Sequence, residues 1–218
     1  MARRRQHTIT SDEYAGFEGA YEWFNERLFG GKLPACLITL QRKAKSRGYF
    51  ATDRFGHRQD TSTSTHELAL NPDTFVDRSD KDILSTLVHE MCHCWQWHFG
   101  KPSRTGYHNK EWAVRMVAVG LMPSDTGAPS GKQTGQSVSH YIMADGPFDQ
   151  AAEQLLATGF RLNWQSLTLE RPASKARSKT KYTCPSCGQN AWAKPDASLV
   201  CGECEEVMET EQEPEAEG

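Results

Sequence analysis

Hydrophobic residues recur at three- and four-residue intervals in several stretches of the chain, which is the spacing of one helix face. In the first stretch they are mostly aromatic: Tyr14, Phe17, Tyr21, Phe24 and Leu28. Thr10 and Glu13 stand at the two positions of a capping box, and Gly30 follows the last apolar residues. We therefore predict a helix from Thr10 to Gly30, with its aromatic face in the core.

Short apolar runs after this helix predict three strands, at residues 37–40, 48–51 and 67–71. Residues 53–64, between the second and third runs, are polar and rich in turn formers, which favours a hairpin-like loop. We expect His57 in this loop, and His66 shortly after it, to face solvent.

A second helical stretch begins at Ser79, a cap-type residue that is followed by acidic residues in the first turn. Asn109 can cap a third helix, on which Trp112 and Met116 share a face. Residues 123–139 contain few apolar side chains and several glycines, so we predict a long loop there. A short helix at 148–156 and a strand or docked tail at 160–164 complete this part of the chain.

The second helix carries the sequence His89-Glu90-Met91-Cys92-His93. Its two histidines are four residues apart, so both imidazoles lie on one face and can hold one Zn²⁺. Glu90 lies about 100° round the helix, where its carboxylate can accept a proton from an attacking water. Without a third ligand, the pattern would also suit a buried helix with two hydrogen-bonded histidines.

The third ligand must come from elsewhere in the chain. His98 is nine residues after His89, so on a continuous helix it points to the opposite side. Three chain breakers follow the helix: Gly100, Pro102 and Gly106. They allow the chain to turn back and present His108 at the start of the third helix. We favour His108, with Glu111 as the alternative because a carboxylate can also complete a zinc site.

Two Cys-x-x-Cys pairs lie near the end of the sequence, separated by residues 188–200: Cys184 with Cys187, and Cys201 with Cys204. This spacing suits two short hairpins that bring four thiolates to one tetrahedral Zn²⁺. A segment this small cannot bury a sufficient core, so the metal would supply its folding free energy. We expect Tyr182 and Trp192 to pack on this zinc ribbon rather than to stack on bases.

Several of these residues resemble the SprT-like family, whose best-studied branch is the Spartan-type proteases. The resemblance covers roughly residues 12–120 and is most specific in the His-Glu helix joined to Gly106-Tyr107-His108. The other matching residues are Leu28-Phe29-Gly30-Gly31-Lys32-Leu33-Pro34, Gly48-Tyr49-Phe50, Leu70-Asn71 and Trp112.

The resemblance implies an α+β zincin fold, with His89, His93 and His108 on a catalytic zinc ion and Glu90 as the general base. Spartan-type members cleave proteins that are attached to DNA, and many SprT-like proteins carry a C-terminal zinc ribbon. The resemblance therefore implies a protein substrate, DNA that is single-stranded or damaged as a further partner, and a second, structural zinc ion.

Charge is distributed unevenly, although the formal net charge is only -3. Residues 3–5 are all arginine, residues 171–181 contain five lysines and arginines, and the chain after Glu203 is rich in glutamate. Basic segments attract phosphates, whereas acidic tails repel them. The overall charge thus gives no argument for nucleic acid, and only the basic linker favours a contact with DNA.

These observations divide the chain into a flexible basic arm (1–9), a SprT-like zincin domain (10–168), a basic linker (169–181), a zinc ribbon (182–208) and an acidic disordered tail (209–218). No stretch is apolar enough to span a membrane or to act as a signal peptide. We therefore expect a cytoplasmic monomer, associated with the nucleoid in a bacterium or located in the nucleus in a eukaryote.

The predicted fold class is α+β: a small zincin-like metalloprotease domain, with helices packed on a short sheet, followed by a C-terminal zinc ribbon. The predicted function is that of a zinc endopeptidase acting on DNA-bound or DNA-crosslinked proteins. Two alternatives stay open at this point. One is a non-enzymatic zinc-dependent module that binds DNA or protein, and the other is a peptidase unrelated to DNA.

Overall fold

The computed structural model describes residues 8–167 and 179–210. The chain forms two compact units, Met1–Leu167 and Thr168–Gly218. Most of the predicted basic arm, basic linker and acidic tail lies outside the described residues. Within the described parts, no helix is long and apolar enough to cross a membrane.

The first helix, α1 (Ile9–Phe29), has its N-cap two residues earlier than predicted. Its N-cap is Thr8, whose hydroxyl accepts a hydrogen bond from the N–H of Ser11 at 3.3 Å, while the Ser11 hydroxyl accepts one from the N–H of Thr8. The capping box predicted for Thr10 and Glu13 is therefore wrong. Two cap-type residues compete here, and the earlier one is used because Ser11 completes a reciprocal pair.

The aromatic face of α1 lies in the core of the first unit, as predicted. Its buried aromatic residues are Phe17, Tyr21, Phe24 and Phe29. The helix ends at Gly30, which adopts the left-handed conformation with φ 65°. Glycine is favoured there because a side chain makes that conformation costly.

A three-stranded sheet follows, formed by β1 (Leu37–Leu40), β2 (Gly48–Gly56) and β3 (Ser64–Leu70). The central strand is β3, which runs parallel to β1 and antiparallel to β2. The three predicted strands are confirmed. The last two are longer than predicted because their pairing resumes beyond an irregularity between Ala51 and Phe55.

The second helix, α2 (Asp80–Phe99), begins as predicted with Ser79 as its N-cap, in a capping box with Asp82. Residues 83–92 of α2 are all buried, so this helix runs through the core. Helix α3 (Lys110–Ala118) also begins as predicted, because the side chain of Asn109 accepts a hydrogen bond from the N–H of Trp112 at 3.0 Å.

The predicted loop at 123–139 is only partly a loop. Its two ends belong to β4 (Leu121–Ser124) and β5 (Ser139–Ile142), which pair antiparallel. Helix α4 (Pro147–Ala157) then packs against α1, where the rings of Phe24 and Phe148 stack at 5.4 Å. Residues 160–164 form no strand, and the backbone N–H of Asn163 contacts the Glu13 carboxylate at 3.4 Å.

The second unit contains β6 (Thr180–Thr183), β7 (Asn190–Ala193) and β8 (Glu209–Thr210), in the order β7-β6-β8. Tyr182 is buried there, as predicted, and its hydroxyl donates to the carbonyl of Lys194 at 2.9 Å. The expectation that Trp192 packs on this unit is wrong, because its side chain is 62% exposed on β7. Helices and small sheets together make the fold mixed α+β, as predicted.

Candidate active site

Three histidines converge where α2 passes the start of α3. His89 and His93 lie one turn apart on α2, and His108 immediately precedes the N-cap of α3. One ring nitrogen from each lies within 4.8 Å of the others. The Nε2 atoms of His93 and His108 are 3.2 Å apart. Two nitrogens on one tetrahedral zinc at about 2.0–2.1 Å would be about 3.3 Å apart, so this donor set fits a zinc ion.

The loop between β4 and β5 holds His108 in place. Its Gly135 pairs with His108 through two backbone hydrogen bonds, with N···O distances of 2.8 and 3.0 Å. The Nδ1 atom of His108 also lies 3.3 Å from the carbonyl oxygen of Gly135. When Nδ1 carries the ring proton and donates to this carbonyl, Nε2 keeps the lone pair that a metal requires.

Trp112 forms an aromatic support beneath all three histidines. Its side chain is fully buried, and its ring centroid lies 4.9 Å from that of His89, 5.1 Å from His93 and 4.3 Å from His108. The ring of His93 stacks on it with an interplanar angle of 17°. These contacts restrict rotation of the imidazoles and so maintain the cluster in one arrangement.

The three histidines are neutral near pH 7. Burial lowers the pKa of His89 well below its usual range, and the neighbouring histidines lower it further. Burial also lowers the pKa of His93 to about 3 and shifts the pKa of His108 in the same direction. A neutral imidazole is the form that binds a metal ion, so these side chains need not lose a proton first.

Glu90, the neighbour of His89 on α2, is buried, and burial raises the pKa of its carboxyl group to about 8. A hydrogen bond from the backbone of Phe50 on β2 opposes this shift. Gly48 allows β2 to come this close, because a Cβ atom there would lie 2.8 Å from the carbonyl oxygen of Ala69 and 3.3 Å from Cγ of Glu90. A cation held by the histidines would favour the carboxylate form of Glu90.

The two other residues considered as ligands contact different groups. The carboxylate of Glu111 accepts hydrogen bonds from the N–H of Lys101 at 2.6 Å and from Nε2 of Gln96 at 2.9 Å. His98 lies on α2 with its Nε2 atom 2.8 Å from Nε2 of His66. The structure therefore brings His108, and neither Glu111 nor His98, to the α2 pair.

This contact corrects the expectation that His66 faces solvent. His66 is only 7% exposed, because the rings of Phe50 and His98 pack against it with centroid distances of 5.3 and 4.9 Å. Its Nδ1 atom accepts a hydrogen bond from the N–H of Asp53 at 2.9 Å. His57, by contrast, is exposed as predicted.

Sequence reasoning missed His140, which lies on β5. Its Nδ1 atom is 3.0 Å from Nδ1 of His89, and its Nε2 atom is 2.8 Å from the hydroxyl of Ser85. Residues 138–142 contain three strand-forming residues, Val138, Tyr141 and Ile142, so a strand could have been predicted there. No local signal shows that this strand faces α2, because β4 and β5 are paired across a loop.

The second unit gathers the four cysteines into another candidate metal site. One Sγ atom from each of Cys184, Cys187, Cys201 and Cys204 lies within 4.8 Å of the others. Those of Cys187 and Cys201 are 3.7 Å apart, close to the separation of about 3.8 Å expected for two thiolates on one tetrahedral zinc. The cluster is consistent with the predicted zinc ribbon.

Each Cys-x-x-Cys pair forms the same backbone turn. The N–H of Gly188 donates to the carbonyl of Cys184 at 2.9 Å, and the N–H of Glu205 donates to that of Cys201 at 2.8 Å. Backbone hydrogen bonds from Cys187 and Ser186 help to lower the pKa of the Cys184 thiol to about 7. The first turn thus favours the thiolate form of Cys184, which is the form that binds a metal.

A His-Glu-x-x-His helix joined by a third histidine from just before the next helix is typical of a metalloprotease-type domain. The sequence pattern of the SprT-like family matches residues 17–134, more than half of the chain. The chain therefore belongs to the SprT-like family, which confirms the predicted resemblance. The matched residues contain all three histidines and Glu90, and they end before β5 and the cysteine cluster.

One similar protein comes from Salmonella typhimurium and is described as "Uncharacterized protein in mucB 3'region". It is 46% identical over 50 residues, which make up 23% of this chain and 68% of that protein. No solved structure matches the chain.

Proposed function

We propose that this chain is a zinc-dependent endopeptidase that acts on DNA-bound or DNA-crosslinked proteins. The position of Glu90 carries the catalytic part of this proposal. A buried carboxylate beside a three-histidine cluster costs free energy, because burial disfavours its charged form. A structural zinc site has no need of such a group, whereas a hydrolytic site needs a base next to the attacking water.

His89, His93 and His108 would hold the zinc ion, with their neutral imidazoles already directed at one point. Zinc bound there would polarise the scissile carbonyl and lower the pKa of the attacking water. Glu90 accepts the proton from this water and can pass it to the leaving amine.

The sheet offers a place for an extended substrate segment. The strand order β1-β3-β2 leaves β2 at the edge, and β2 packs against α2 beside Glu90. An edge strand has free backbone N–H and C=O groups, which can pair with an extended peptide. Pairing of this kind would support cleavage within a chain, because an extended segment binds along a strand rather than by its terminus.

Two features support a contact with DNA. The basic linker at 169–181 can attract phosphates without regard to sequence, although most of it lies outside the described residues. In the second unit, Trp192 is 62% exposed on β7 and pairs in register with Lys181 on β6. An exposed indole next to a lysine can stack on an unpaired base while the ammonium group contacts phosphate.

The test is to incubate the purified full-length protein with a DNA-binding substrate protein, with and without single-stranded DNA. Glu90→Gln serves as the matched control, because it keeps the shape of the side chain and removes the base. We expect cleavage that requires both DNA and Glu90, and zinc content that is unchanged in the variant. Cleavage that requires Glu90 but not DNA would leave a peptidase unrelated to DNA. No cleavage by the wild type would favour a binding module with two structural metal sites.

A further inference from the structure

We propose that His140 positions His89 for metal binding by accepting the proton of its Nδ1 atom. The inference rests on the zinc site of the proposed function, and it concerns a residue beyond the part of the chain that matches the SprT-like family. His140 is only 9% exposed and stands on β5, opposite Pro123 of β4. It contacts His89 on one side and Ser85, one turn earlier on α2, on the other.

One arrangement of protons satisfies every member of this chain of contacts while leaving His89 able to bind a metal. The Nδ1 atom of His89 faces His140, so Nε2 is the nitrogen left to bind the ion and Nδ1 must carry the proton. It therefore donates to Nδ1 of His140, at a distance of 3.0 Å. The proton of His140 is then on Nε2 and is donated to the hydroxyl of Ser85 at 2.8 Å.

The contacts end in the backbone of α2. The hydroxyl of Ser85 donates to the carbonyl oxygen of Asp82 at 2.7 Å. His89, His140 and Ser85 thus each donate one hydrogen bond to the next group. The last acceptor is a backbone carbonyl oxygen, which can accept a hydrogen bond but never donate one. The first turns of α2 therefore determine which nitrogen of His89 is protonated.

His140 acts through His89 and is not a fourth ligand. Both of its ring nitrogens are engaged, one with His89 and one with Ser85. His108 has a corresponding partner in the carbonyl oxygen of Gly135. Partners of this kind orient a metal-bound imidazole and set its tautomer, and their loss typically weakens metal binding about 10- to 100-fold.

The experiment compares His140→Asn with His140→Leu in the full-length protein. The Oδ1 atom of asparagine can occupy the place of Nδ1 and accept the proton of His89, whereas leucine fills a similar space without an acceptor. Zinc affinity is measured by competition with a chromogenic chelator. The four-cysteine cluster of the same chain is the internal reference, because its affinity should be the same in all variants.

We expect His140→Leu to lower the zinc affinity of the histidine site about 10- to 100-fold and His140→Asn to retain most of it. Cobalt in place of zinc adds a spectroscopic readout, since its visible bands should change in the leucine variant and remain in the asparagine variant. Equal affinity in the wild type and His140→Leu, or an equal loss in both variants, would overturn the proposal.

Ser85→Ala provides a second test if His140→Leu does not fold. This variant removes the hydroxyl that accepts the proton of Nε2 of His140. His140 then carries its proton more readily on Nδ1, where the N–H would face the N–H of His89 instead of accepting from it. A several-fold loss of zinc affinity is expected, and an unchanged affinity would contradict the role of His140. These measurements need no substrate: zinc binding that depends on His140, in a protein that cleaves nothing, would refute the proposed function and leave this inference standing.

Discussion

The two candidate metal sites of this chain are built in opposite ways. The histidine cluster belongs to a unit with a large hydrophobic core drawn from α1 to α4 and the sheet, so a metal ion would be added to a surface that is already formed. The cysteine cluster belongs to a unit in which the buried core of the described residues consists of Tyr182, Cys184, Cys201 and Met208. Half of these core residues are candidate ligands, so the metal itself would complete that core.

The difference also separates their chemistry. Three histidines leave one position of a tetrahedral ion open for water and substrate, and Glu90 follows the first of them on α2. Four thiolates close the coordination sphere, which is the arrangement of a structural site. A pre-formed site with an open position can do chemistry, whereas a closed site that completes a core serves stability.

Removal of metal should give the largest contrast between the two units. With a strong chelator, we expect residues 180–210 to lose protection from amide hydrogen exchange, while α1, α2 and α4 retain theirs. The reason is the difference in buried core, since the first unit has a large core of its own. The measurement is hydrogen exchange by mass spectrometry or NMR, before and after chelation. Loss of protection in both units together would show that the histidine site also supports its fold.

The choice of third ligand can be tested with two alanine variants. His108→Ala should lose the ion of the histidine site and reduce cleavage below detection, while the cysteine site keeps its ion. Glu111→Ala should keep both ions, because its carboxylate contacts Gln96 and Lys101, and should lower stability by about 1 kcal/mol. Zinc content and thermal unfolding distinguish the two variants. Loss of metal in Glu111→Ala would mean that the carboxylate takes part in binding.

The close approach of β2 to α2 can be tested at Gly48. A Cβ atom at this position would lie 2.8 Å from the carbonyl oxygen of Ala69, so Gly48→Ala should lower the free energy of unfolding by about 1–3 kcal/mol and displace Glu90 from its site. Gly19→Ala is the matched control, because a Cβ atom on that helical residue meets nothing within 4 Å. The control should be neutral or stabilising. Equal effects in chemical denaturation would disprove the packing argument.

The exposed indole of the second unit should matter for DNA and not for folding. We expect Trp192→Ala to weaken binding of single-stranded DNA by about 1–3 kcal/mol if the ring stacks on a base. Tyr182→Phe is a useful comparison, since within the described residues that hydroxyl bonds to the backbone of residues 194 and 197 of the same unit. Fluorescence anisotropy with a labelled oligonucleotide measures both variants. An unchanged affinity in Trp192→Ala would remove the support that this side chain gives to a DNA partner.

A smaller effect concerns the dependence of stability on pH in the first unit. Burial and the nearby His98 lower the pKa of His66, so the unfolded chain takes up a proton at a pH where the folded chain does not. Stability is therefore complete above the unfolded pKa of about 6.5 and falls as the pH decreases below it. His66→Gln should show a shallower loss between pH 7 and pH 5 in urea titrations. Identical slopes would mean that His66 does not contribute to acid sensitivity.

Much of the local structure could be predicted from the sequence because its signals are short-range. The capping box at Ser79, the cap at Asn109 and the spacing of His89 and His93 depend on residues within one or two turns. The start of α1 was predicted wrongly because Thr8 and Thr10 offer nearly equivalent caps, and only the reciprocal bond with Ser11 selects the first.

The burial of His66 and the second contact of His89 could not be predicted in this way. His66 is covered by Phe50 and His98, which lie 16 and 32 residues from it in sequence. His140 reaches α2 from a hairpin strand 51 residues after His89. Helical periodicity and cap residues carry no information about which strand will lie behind a given helix face.

The sequence by itself determined the two metal-ligand patterns, the helix that carries the first, and the position of a carboxylate beside it. Those properties follow from covalent spacing along a helix or a tight turn, which has only a few geometries. The tertiary structure alone decided that His108 rather than Glu111 faces the α2 pair, that Trp112 supports it, and that His140 stands behind His89. These contacts join segments far apart in the chain, and only the packing of the whole core selects them.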